Sequence, residues 1–98
     1  MARREIITHE LKTEDRYFDA VKRGEKTFEV RKNDRAFQTG DIVTLIRIER
    51  DKFNGGWMES RDPIRNTKTT VTYKIGWVLQ GGQFGIEPGY CVFSLAKA

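Results

Sequence analysis

Lys26, Thr27, Glu29 and Arg31 stand close together in the run Gly24-Glu25-Lys26-Thr27-Phe28-Glu29-Val30-Arg31-Lys32-Asn33-Asp34-Arg35. Their types suit a site for something anionic and rich in hydrogen-bonding groups. The Lys26 ammonium can meet a phosphate or a developing oxyanion. The Glu29 carboxylate can accept from an exocyclic amine of a base, or act as a general base. The Arg31 guanidinium can clamp a phosphate with two parallel N–H bonds, or pair with Glu29. Thr27 adds a neutral donor and acceptor. Period-two alternation places Thr27, Glu29 and Arg31 on one strand face and Phe28 and Val30 on the other. The same spacing also fits a structural ion pair, since Glu29 and Arg31 two apart on one face can support each other.

The charge around these residues is positive. From Lys22 to Arg35 there are six basic and three acidic residues, within a chain whose formal net charge is +4. A clustered positive excess favours anionic partners, nucleic acid first among them, although a solvated helix end and loop would look the same. Lys32 and Arg35 extend the patch, and Lys12, just ahead of the expected helix, can face the same cleft. Trp57, on a polar stretch, can stack on a base. His9 shares a strand face with Ile7 and Leu11, which favours a core histidine and leaves it a secondary candidate. With one histidine and one cysteine there is no Cys/His cluster, and no metal is expected. Cys91 lies in an apolar run and reads as a buried thiol. Gly81-Gly82-Gln83-Phe84-Gly85 lacks the Lys-Ser/Thr ending of a phosphate loop and reads as a turn. No apolar run suggests a leader or a bilayer span, so a cytoplasmic location is the expectation.

The elements that must position these residues follow from periodicity. Ile6 to Leu11 alternates as a strand. Thr13 suits a helix N-cap, and Tyr17, Phe18, Ala20 and Val21 form a helical stripe that Gly24 ends. Thr27 to Lys32 is the next strand, Asn33-Asp34-Arg35 and Gly40-Asp41 are turns, and Ile42 to Glu49 is a long strand apolar on both faces, as in a central strand or barrel wall. Glu49 to Thr67 is polar, with a turn at Asn54-Gly55-Gly56. Thr69 to Ile75 and Tyr90 to Leu95 are further strands, and Trp77, before Val78 and Leu79, is expected to be buried. One domain spanning 1–98 and an α+β class result, with five to six strands and one main helix after the first strand.

This assembly resembles the ASCH branch of the PUA-like superfamily, and a bacterial and phage subgroup within it. The likeness is carried by His9-Glu10-Leu11-Lys12, Tyr17-Phe18 with Ala20-Val21, Gly24 to Arg31 and Gly40-Asp41. Val71-Thr72-Tyr73 and Gly89 to Leu95 complete it. The resemblance implies a small β-barrel with a helix near its cleft, and RNA binding. In small amidohydrolases of the branch the motif Gly-x-Lys-Thr-x-Thr carries a catalytic lysine and threonine with a later glutamate. Lys26 matches that lysine, Glu29 stands where the second threonine would be, and no later residue is assigned as the glutamate. The expected function is therefore a module for RNA or a nucleotide-like anionic ligand, using Lys12, Lys26, Thr27, Glu29, Arg31, Lys32 and Arg35. The alternative is a small hydrolase, a nucleoside amidohydrolase or a ribonuclease, acting through Lys26 and Glu29. No cofactor is expected.

Overall fold

The structure, a computed structural model, describes residues 5–98. Six strands and one helix follow in the order β1 (Thr8–Glu14), α1 (Asp15–Lys22), β2 (Phe28–Lys32), β3 (Ile42–Arg50), β4 (Trp57–Glu59), β5 (Thr70–Gln80) and β6 (Tyr90–Lys97). All strands belong to one sheet of order β1-β3-β5-β6-β2, with β4 added to the far part of β3. The β1–β3 pair is parallel; every other pair is antiparallel. The doubly apolar β3 is an inner strand, between β1 and β5, with Val43, Leu45 and Ile46 buried.

Strand pairing does not close the expected barrel. β1 and β2 are the two edges of an open sheet. The sheet nevertheless curls until its edges face each other at side-chain distance, because guanidiniums from the β2 side reach the β1 backbone. Arg31 Nη1 donates to Lys12 O at 3.1 Å and Arg35 Nη1 to Glu10 O at 2.8 Å. A seam spanned by side chains stands where a closed barrel would have a ladder. Inside the curl, Leu11, Phe37, Val43, Leu45, Ile75 and Phe93 pack with Phe18 and Val21 of α1.

The helix ends as its sequence implies. Gly24 has φ +81°, its N–H meets Val21 O at 3.0 Å, and the Glu25 N–H meets Ala20 O at 3.0 Å. These are the two bonds of a Schellman ending, which needs a left-handed residue. The start differs. Thr13 is not the cap: β1 keeps its alternation through His9, Leu11 and Thr13, all facing inward, and Glu14 takes the cap position without a side-chain bond. Thr13 Oγ1 donates instead to Leu11 O at 3.2 Å. The expected strand at Ile6 also begins later, at Thr8.

Trp77 corrects a second expectation, being 79% exposed. The β5–β6 register advances three residues from Ile75 to Val78 against two from Leu95 to Phe93. This bulge resets the alternation, so Ile75 points inward and Trp77 outward. Cys91 is fully buried, as expected, and burial pushes its thiol pKa up.

Candidate functional site

The β2 strand turns its polar face inward. Glu29 is 3% exposed, while Phe28 and Val30 on the other face are 44% and 53% exposed. A strand normally buries its apolar face. The inversion is possible here because the inner face of this edge strand meets the seam, where charged groups satisfy one another.

Glu29 is held from both sides. Lys26 Nζ contacts its Oε2 and also donates to Phe28 O at 2.6 Å. Arg31 donates to its Oε1 from Nη2 at 2.8 Å and from Nε at 3.3 Å. Arg31 Nη2 continues to Thr13 Oγ1 at 2.9 Å, beside the bond to Lys12 O. Four of the five N–H donors of the guanidinium are thereby engaged. Of the two roles the sequence left open to Arg31, pairing with Glu29 is the one seen, and its fork, already holding Glu29 and β1, has little left for a bidentate phosphate clamp. Lys26 uses two of its three donors, and one remains for a ligand. Lys12 is exposed, and among the described residues its ammonium has no hydrogen-bond or ion-pair partner.

These groups surround a cleft of about 490 Å³ between β2, the end of β1 and the start of α1. That volume suits one small organic ligand. Lys12, Lys26, Glu29 and Arg31 line it together with two rings the sequence had placed elsewhere, Tyr17 and Phe28. Tyr17 is 40% exposed. The Lys26 ammonium lies 4.9 Å from the Phe28 ring centre and 5.7 Å from that of Tyr17, so a cation sits against two π faces. Helical spacing puts Tyr17 on the apolar stripe of the helix, yet its ring is exposed and faces the cleft. Phe28 carried no signal, since an apolar residue on an alternating strand reads as core.

Around the seam lies a second cleft of about 360 Å³, floored by Ile46 and lined by Arg35 and Lys68. Lys12 and Arg31 line both. Lys68 falls between the polar stretch ending at Thr67 and the strand expected from Thr69, and was not singled out by the sequence.

The remaining candidates lie apart. Thr27 is exposed and lines neither cleft; its carbonyl pairs with Leu95 N–H at 2.9 Å. Lys32 is exposed outside both. His9 is buried, its Nε2 2.9 Å from Asp41 Oδ2 and its ring against Phe37. That aspartate also accepts from Ile7 N–H and Gln38 N–H, so the pair ties β1 to the turn before β3. Trp57 lies under the Arg50 guanidinium at 4.2 Å and lines neither cleft. Among the described residues no group of three His, Cys, Asp or Glu can hold a metal ion, and no helix is long and apolar enough to cross a membrane.

Two comparisons bear on the chain. A family profile described as Domain of unknown function (DUF3850) matches residues 8–95. An "Uncharacterized 12.9 kDa protein in GpA 3'region" of Escherichia phage P2 is 40% identical over 53 residues, which is 54% of this chain. The match covers 49% of that phage protein, so the chain spans about half the length of the curated relative it matches.

Proposed function

The chain belongs to the DUF3850 family, and from that starting point we propose that it is a binding module for RNA or a modified nucleotide. The observation that carries this is the composition of one cleft: exposed Tyr17 and Phe28 rings, the Lys26 and Lys12 ammoniums, and one deep carboxylate. A nucleotide combines a flat π system with an anion. The rings can stack on its base. Lys12 and the third donor of Lys26 can take its phosphate. Glu29, with Oε2 contacted by Lys26 alone, keeps a lone pair for an amine or hydroxyl of the ligand. Arg31 contributes mainly by holding the cleft open and rigid.

In the same reading the family is a branch of the ASCH and PUA-like group. Six strands, one helix after the first, and two sheet edges a side chain apart accord with a PUA-like barrel opened along one seam. The alternative function, a small hydrolase using Lys26 and Glu29, draws support from the direct contact of that pair on the cleft wall. The two exposed rings on the cleft favour the binding module, because a stacked base needs them and proton transfer does not.

Fluorescence anisotropy of a labelled single-stranded RNA against increasing salt tests the proposal. Affinity should fall with a log–log slope of about −0.7 per phosphate contacted, and Lys26→Ala and Lys12→Ala should each weaken binding. A salt-independent affinity, or one untouched by both changes, refutes it. Turnover of an acylated nucleoside or of RNA that Lys26→Ala and Glu29→Gln both abolish would establish the hydrolase instead.

A further inference from the structure

We infer that the ligand is a single strand of RNA running through both clefts, with a base in the first and backbone phosphate in the second. The inference rests on the nucleotide reading of the first cleft and extends it to the substrate class. It starts from adjacency: the clefts share Lys12 and Arg31 as lining, so they adjoin at the seam. Their volumes, about 490 and 360 Å³, are each in the range of a single small ligand rather than of a polymer. A chain of nucleotides therefore engages them one unit at a time.

Their chemistry differs in the way a strand requires. The first has rings for a base. The second has none, and carries four cations, Lys12, Arg31, Arg35 and Lys68, against the carboxylates of Glu10 and Glu59. Its cations also have donors to give. Arg35 uses one bond, to Glu10 O at 2.8 Å, and four of its five donors remain. Lys68 Nζ stands 3.7 Å from Glu59 Oε1, beyond a good hydrogen bond. Lys12, without a partner of its own, sits on the wall between the two clefts. This is the distribution expected where the backbone of a strand passes from a stacked base to a phosphate-binding groove.

The test compares adenosine monophosphate with an adenosine tetranucleotide on the intact chain, by titration of the native protein and of Arg35→Ala and Lys68→Ala. Lys68 is a surface residue whose loss leaves the core untouched, and thermal melts check that each variant is folded. The tetranucleotide should bind about tenfold more tightly than the monophosphate, with a salt slope steeper by about 0.7 for each added phosphate contact. Lys68→Ala and Arg35→Ala should weaken the tetranucleotide about three- to tenfold and leave the monophosphate unchanged. If the monophosphate binds and the tetranucleotide gains nothing, or if Lys68→Ala weakens both alike, the strand path is wrong while the first cleft stands. If neither probe binds, the nucleotide reading itself falls, and the path with it.

Discussion

Replacing Arg31 by alanine should destabilise the protein more than any other single change at the seam. The guanidinium joins three things at once: Glu29 on its own strand, and the Lys12 carbonyl and Thr13 hydroxyl on the opposite sheet edge. Each bond to a charged group is worth about 1.5–3 kcal/mol net, and the sum is not additive. Glu29, only 3% exposed, keeps Lys26 as a partner, so the variant does not strand an isolated charge. Partial exposure of the guanidinium, at 24%, lowers the figure further. We expect a loss of about 2–3 kcal/mol, which for a domain of this length is a fall in Tm of about 10–20 °C. Urea unfolding with a shared m-value is the assay. Arg35→Ala, which removes one exposed bond to Glu10 O, is the control, with an expected loss under about 1 kcal/mol. Arg31→Lys should recover less than about half of the loss, because a point-like ammonium cannot fork between the two edges. If Arg31→Ala melts with the wild type, or no lower than Arg35→Ala, the guanidinium does not hold the edges together and the cleft lacks its rigid wall.

Other perturbations have equally definite outcomes. Arg47 grips Asp19 through two bonds of 2.9 and 3.1 Å, and that hydrogen bonding holds the Asp19 carboxyl below the ordinary carboxylate range. A depressed acid contributes stability above its unfolded pKa, near 3.9, and loses it as pH falls through the lower folded value. Wild type should thus exceed Asp19→Asn by about 0.5–1 kcal/mol at neutral pH, after allowing for solvent screening of this half-exposed pair, and the two denaturation curves should converge in acid. Cys91, fully buried with its thiol pKa raised by burial, should resist an aromatic disulfide reagent in the native state and react only as fast as the protein opens; rapid native labelling would contradict its place in the core. Gly81→Ala should cost about 1–3 kcal/mol by urea unfolding, since a Cβ there would stand 2.1 Å from Glu87 O and 2.5 Å from Tyr90 O.

Much of the fold was legible because local and long-range preferences agree. The Phe18–Val21 stripe with Gly24 behind it gave the helix and its end, and the doubly apolar run from Ile42 gave an inner strand of the sheet. Expectations failed where a tertiary feature overrode a local one. Thr13 has the chemistry of a cap, but the inward phase set by His9 and Leu11 kept it in the strand. Trp77 continues the alternation of Val71, Tyr73 and Ile75, and a single-residue bulge reversed it. The grouping of Glu29 and Arg31 could be read from spacing within one strand, and Lys26 stands just ahead of it. Their connection to Lys12 and Thr13 depends on how far the sheet curls, and Lys68 follows a polar segment whose path no periodicity fixes. The inward turn of the polar face of β2 was equally hidden, because alternation separates two faces without saying which meets the interior.

The cleft between β1, α1 and β2 as the seat of nucleotide binding is tested most directly by amide chemical-shift mapping during titration with adenosine monophosphate. Saturable shifts concentrated at Lys12, at Tyr17 and along residues 26–31 are the expected result. Shifts that do not saturate, or that gather around Trp57 or Trp77 and leave those residues unmoved, would contradict it.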